Sequence, residues 1–140
     1  MIHRVIATQR RIQALDITEL ILERSWPEGF LWVGVPHTTV ALVLSESDPD
    51  LLFDLERVAE SFFSSYEPFR HRRNDNPNAA AHLFSSLLGT HVVVPIVHGR
   101  PALGSYQRLV FLELDGPKGE RSVELRPLPA AQPVESQGGE

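Results

Sequence analysis

Cysteine is absent from the 140 residues, which removes disulfides, thiolate metal sites and a thiol nucleophile. Any metal bound here would have to be held through nitrogen and oxygen. No apolar run approaches the ~20 residues that cross a bilayer, and no basic-then-apolar leader opens the sequence. A cytoplasmic protein that engages no membrane is therefore expected. Positive charge is also lacking. The formal net charge is −5, with Lys118 the only lysine, so the clustered excess that nucleic-acid binding requires is missing and no such partner is expected. Arg70, Arg72 and Arg73 make a local basic spot that suits one phosphate group, not a duplex. Walker, GxGxxG, HExxH and GxSxG patterns are all missing.

What remains has the length and 42% apolar content of one globular domain. The domain is expected over residues 1–126. From Pro127 to Glu140 the Pro- and Gly-rich text reads as a mobile tail. Ile2 to Arg11 alternates as an outer strand, and Asp16 reads as the cap of a helix ending before Pro27. Phe30–Val35 and Thr38–Leu44 read as strands, the second apolar on both faces and so covered on both sides. Ser47-Asp48-Pro49-Asp50 starts a helix that runs to about Phe63, with Leu51, Leu55, Val58 and Phe62 as its buried stripe. A polar loop, Ser64–Pro77, leads to a helix closed by Gly89, whose stripe is Leu83, Phe84, Leu87 and Leu88. Strands His91–Val97, Tyr106–Leu114 and Arg121–Leu125 follow, with turns at Gly99-Arg100-Pro101 and Asp115-Gly116. Without a regular βαβ alternation this is α+β: a mixed, largely antiparallel sheet or partial barrel with helices packed on one side.

Three histidines stand out. His37 opens His37-Thr38-Thr39 and in a strand would share a face with Thr39 and Ala41, where small side chains leave room for a ligand. His82 lies among small residues in Asn78-Ala79-Ala80-Ala81-His82, off the greasiest helix face. His71 sits between arginines that suit an anionic substrate. Neutral imidazole is a common metal ligand and a common acid or base near neutral pH. Glu46 follows an apolar strand and precedes the helix cap. Asp48 and Asp50 read as ordinary capping carboxylates.

The ordered motifs resemble one family. Pro36-His37-Thr38-Thr39-Val40-Ala41-Leu42 with Ser45-Glu46, then Asp48-Pro49-Asp50 with Asp54, is similar to the opening signature of the YjbQ-like family. Tyr66 and His71, then Ala81-His82-Leu83-Phe84-Ser85-Ser86-Leu87-Leu88-Gly89, resemble its middle block. Val94-Pro95-Ile96-Val97-His98-Gly99-Arg100 with Leu103-Gly104-Ser105-Tyr106-Gln107 resembles its last. The chain departs from the pattern at Tyr106 (usually Trp), Ser45 (usually Asn) and Arg72 (often acidic).

The resemblance implies a compact α+β homotrimer acting as a secondary thiamine-phosphate synthase. Such an enzyme joins hydroxymethylpyrimidine diphosphate to thiazole phosphate and releases pyrophosphate. It implies a divalent metal ion, zinc or magnesium, on His37, His71 and His82. By the matching positions His37, His82 and Glu46 would be catalytic. Thr38, Thr39, Arg72, Arg73, Arg100 and Gln107 would bind the phosphorylated substrate. Two other functions fit the same residues: a trimeric metabolite-binding or regulatory module without turnover, and a metal-dependent hydrolase of a small ester or phosphate.

Overall fold

The computed structural model describes residues 1–72 and 77–131. Arg73 and residues 132–140 lie outside the described residues. Among the described residues, eight strands and three helices follow the order β1 (Ile2–Ile6), β2 (Gln13–Asp16), α1 (Glu19–Leu22), β3 (Gly29–Gly34), β4 (Val40–Ser45), α2 (Pro49–Ser61), α3 (Ala79–Leu88), β5 (His91–Val97), β6 (Arg100–Pro101), β7 (Arg108–Glu113) and β8 (Arg121–Pro129). A short 3-10 turn, Ser64–Tyr66, lies in the polar loop. The strands form a five-stranded sheet, β1-β8-β3-β5-β6, and a three-stranded sheet, β2-β7-β4. All the ladders are antiparallel. The α+β expectation holds.

The period-2 pattern of β4 and β7 builds the layers. Val40, Leu42, Leu109 and Phe111 face the five-stranded sheet and pack with Leu31, Val33, Val123 and Leu125. Ala41, Val110 and Leu112 point the other way, against Ala59 of α2 and Ala81 and Phe84 of α3. The three-stranded sheet is thus sandwiched, as the double-faced apolar text of β4 requires. Small residues on the helix side let α3 sit close. Ser85 is buried there and its hydroxyl donates to Val40 O at 2.6 Å.

Several local expectations need correction. Ile2–Arg11 is not one strand, because β1 ends at Ile6 and β2 starts at Gln13. Asp16 ends β2 and binds the Thr18 N–H, and α1 is a single turn. Of the two capping carboxylates expected for α2, Asp48 is the cap, accepting from the N–H groups of Asp50 and Leu51 at 3.0 and 3.1 Å. Leu51, Val58 and Phe62 are exposed at 38%, 48% and 50%. The packed stripe of α2 is Leu52, Leu55, Ala59 and, just beyond its end, Phe63. Both stripes have helical spacing, so periodicity alone did not separate them. In α3, Leu83 and Leu87 are exposed, and Ala81, Phe84 and Ser85 are buried. Arg100-Pro101 is a strand paired with β5, the turn being His98-Gly99. β8 runs four residues past Leu125 and pairs with β3 as far as Gly29↔Pro129. The segment read as tail therefore begins inside the sheet.

Candidate functional site: a histidine trough along α3

α3 carries the trough. His82, half-buried on this helix, meets the His71 ring edge-to-face, with centroids 5.0 Å apart and planes at 80°. His71 belongs to the loop before α3 and is tied to the helix start. Its Nε2–H donates to Asn78 Oδ1 at 3.1 Å, and Asn78 Nδ2 donates to Asp115 Oδ2 at 3.0 Å. The amide orientation that serves Asp115 fixes the tautomer of His71, leaving the Nδ1 lone pair as its reactive atom. Asn78 begins α3 without capping it, because its buried side chain is spent on these two partners.

Three adjoining clefts follow the helix. One of about 540 Å³ lies beside Phe69, His71, Arg72 and Ala80. The middle one, about 450 Å³, is lined by Phe69, Arg70, His71, Ala79, His82 and Leu83. The third, about 430 Å³, runs from His82 and Ser86 to His37, Thr38, Thr90 and His91. His82 thus faces His71 on one side and His37 on the other. His91, stacked on Trp32 at 6.0 Å, closes the far end.

His37 is held differently. It lies in the loop before β4, not in the strand, so the face-sharing expected with Thr39 fails. Its Nε2 accepts the Ser122 N–H at 2.8 Å. A proton on Nε2 would face that donor. Burial, then the nearby Arg121 guanidinium, hold the imidazole below its usual pKa, against weaker pulls from Glu113 and Glu124. His37 is therefore a neutral ring that offers Nδ1–H.

Beneath it lies a buried ion pair. Arg121 donates to Glu113 through Nε at 2.9 Å and again through Nη2, which also reaches Thr39 Oγ1 at 2.9 Å. Glu113 further accepts from Thr8 Oγ1 at 2.7 Å and from the N–H groups of Leu114 and Asp115 at 3.1 Å. Burial alone would raise its pKa, but the Arg121 and Thr8 hydrogen bonds outweigh that and hold the carboxyl below its usual range.

The expected site residues divide. His37, His71, His82, Thr38 and Arg72 line the trough. Thr39 is buried, its hydroxyl taken by Arg121. Glu46 is exposed beyond the far end of β4, ~17 Å of strand from Val40. Gln107 is at that same end, where its side chain accepts from Gly104 N–H at 2.8 Å and closes a turn. Arg100 lies past the opposite end of β5 from His91. Glu46, Gln107 and Arg100 are thus set apart from the histidines within one chain. Asn78, Asp115, Glu113 and Arg121 were missed. The available signal was acid at the end of an apolar strand, in Leu112-Glu113-Leu114-Asp115.

The donors present fit an implied metal only in part. Two imidazoles on one zinc, at ~2.0–2.1 Å per bond and a tetrahedral angle, would hold their centroids roughly 5 Å apart. His71 and His82 match that. Among the described residues, no group of three or more His, Asp or Glu could hold an ion, and His37 has its Nε2 occupied. The described residues of one chain therefore do not assemble the three-histidine set around an ion.

Residues 3–129 match the family described as UPF0047 protein, YjbQ-like. A UPF0047 protein of Archaeoglobus fulgidus is 41% identical over 120 residues, 84% of this chain and 94% of that one. YugU of Bacillus subtilis is 33% identical over 81% of this chain and 88% of its own. Among solved structures, hypothetical protein APE1520 from Aeropyrum pernix K1 superposes with TM-score 0.82 at 36% identity, covering 91% of this chain and 97% of that one. The conserved hypothetical protein TT1486 from Thermus thermophilus gives 0.79 at 30% identity, covering 91% of this chain and all of that one. The chain belongs to the YjbQ-like, UPF0047 family.

Proposed function

We propose that the α3 trough is the active site of a small-molecule enzyme that acts on phosphorylated metabolites, with thiamine-phosphate synthesis as its reaction. The carrying observation is the His71–His82 pair, one ring oriented through Asn78 by Asp115, with Arg70 and Arg72 beside it. In that reaction the thiazole nitrogen forms a bond to the pyrimidine methylene carbon. The carbon–oxygen bond breaks, and its electron pair leaves with pyrophosphate. The chain's tasks are to hold two substrates in line and to receive a departing anion. Arg70 and Arg72 grip phosphate oxygens, His82 hands a proton to the leaving oxygen, and Nδ1–H of His37 donates into the third cleft. A divalent ion, which His71 would hold, would add positive charge against the leaving group.

Assembly belongs to the same reading. Phe30, Val93, Val97 and Leu128 stand exposed on the outer face of the five-stranded sheet, which supports a homotrimer built by covering apolar surface. A metabolite-binding module is the second reading, favoured by the exposure of His71, since loss of pyrophosphate needs water kept out.

The test is pyrophosphate release from the two substrates with zinc or magnesium present. Wild type is expected to turn over, and His82→Ala to lose on the order of 10²-fold. No turnover, with a metabolite still raising the melting temperature, would replace the enzyme with the binder.

A further inference from the structure

We infer that the helix layer is a second interface between copies of this chain, a two-fold contact in which Leu87 of each copy enters a hollow on α2 of the other. The helices and the five-stranded sheet lie on opposite sides of the three-stranded sheet. The contact is therefore separate from the outer face assigned to the trimer, and it stands without the proposed reaction. α3 supplies the first observation. Ala79–Leu88 contains no Asp, Glu, Lys or Arg. Ala81, Phe84 and Ser85 are buried on its sheet side, yet Leu83 and Leu87 on its outer side are 42% and 62% exposed. A helix with one side in water ordinarily carries charge there, and one that is apolar all round is covered all round. α3 is covered on its sheet side only.

α2 continues the same surface. Phe62, just past its last turn, meets Phe84 of α3 edge-to-face with centroids 5.6 Å apart. Val58 and Leu51, four and eleven residues earlier, share that side of α2 and are exposed as well. With Leu83 and Leu87 they leave on the order of 400 Å² of apolar surface uncovered, within the range of the largest patch on a typical monomer, which is often functional. Beside Val58 is a hollow of about 290 Å³ lined by Asp54, Arg57, Val58 and Ser61. These are positions i, i+3, i+4 and i+7, the four that make the hole for an incoming side chain when helices pack. Leu87, the more exposed of the two leucines, is the knob. One chain carries both halves of the contact, so a two-fold axis forms it twice. That self-complementarity points to a second copy, not a different protein. The charges at the hollow are one carboxylate and one guanidinium, so copies do not meet there with like charge although each carries −5 overall. Such a patch is smaller than the ~800 Å² per partner of a stable interface. Pairing is therefore concentration-dependent.

Light scattering on the full chain, over a dilution series from roughly 1 to 500 µM, tests this. Wild type is expected to double its mass across the series. Leu87→Glu sets a charge at the centre of the contact and is expected to abolish the doubling, with the dilute mass and the circular dichroism unchanged. Ser61→Arg fills the hollow at an exposed position and is expected to do the same. It decides the matter should the Leu87 variant misfold. Val93→Glu, on the opposite face, is expected to leave the doubling intact, so failure of the outer-sheet trimer and failure of this pair are read separately. A doubling that persists in both folded variants overturns the two-fold contact, as does association in threes through this face. A wild-type mass that stays constant and that neither variant halves also overturns it, and hands the helix layer to a different protein.

Discussion

Arg121→Met removes the cation from the buried pair under His37. Arg121 is 5% exposed and Glu113 0%, so water does not take the place of the guanidinium. Stranding one partner of such a pair costs ~3–5 kcal/mol. Glu113 keeps Thr8 Oγ1 and two backbone N–H groups, which places the cost at the lower end, ~3 kcal/mol. For a domain of this size that lowers Tm by roughly 10 °C. Urea unfolding at neutral pH reads the free energy directly, with the slope unchanged if the native surface is intact.

The pH dependence supplies a second check on the same variant. Arg121 holds the folded pKa of Glu113 below its unfolded value. The stabilisation is therefore present above the unfolded carboxylate pKa and is lost as pH falls through the folded one. Without Arg121 the folded pKa rises, so the gap between wild type and variant narrows as pH falls from the variant's raised folded pKa toward the lower wild-type one. A variant within 1 kcal/mol of wild type at pH 7, or a gap that stays constant down to the acid limit, refutes the reasoning.

Two shorter expectations accompany it. In metal-free protein, nitrogen NMR should find His37 neutral with the proton on Nδ1 and a midpoint below the usual ~6.5. Its contribution to stability is present above that value and lost as pH drops through the lower folded midpoint; a midpoint at or above 6.5 contradicts the Ser122 hydrogen bond. If the proposed trimer is built on the outer sheet face, Val93→Glu should reduce the mass measured by light scattering from trimer to monomer while circular dichroism is unchanged. An undisturbed trimer would clear that face of any role in assembly.

The sequence shows its layers clearly where alternation was strong and poorly where two patterns competed. β4 reads as covered on both sides because Val40 to Leu44 is apolar throughout, and two cores do meet across it. α2 misleads because Leu51, Val58 and Phe62 have the same helical spacing as Leu52, Leu55 and Ala59. The choice between them depends on Glu56, which reaches down to Arg10 and the Ala14 N–H. Histidines 71 and 82 could be named from motif order, but their contact could not. It depends on Asn78 turning away from its capping role toward Asp115, a residue remote in the chain. Thr39 was assigned to substrate by its place in the family motif, yet the strand starts one residue later and the hydroxyl faces inward to Arg121.

One short stretch at the end of β7 governs both walls of the trough. Glu113 anchors Arg121, whose neighbour Ser122 fixes the His37 ring, and Leu114 N–H donates to Thr39 O at 3.1 Å. Two residues on, Asp115 holds Asn78 and, through it, His71. Leu109 to Leu112, just before, are buried between the two cores and resist displacement. The histidines come from a loop before β4, a loop before α3 and α3 itself, yet two of them take their orientation from this one strand end. Mobile loops alone would let the rings drift; hydrogen bonds from a strand packed on both faces do not. Rings oriented from a packed strand end suit a chemical step, since reacting groups misplaced by an ångström lose much of their rate. On that ground the enzyme reading is stronger than the binding one.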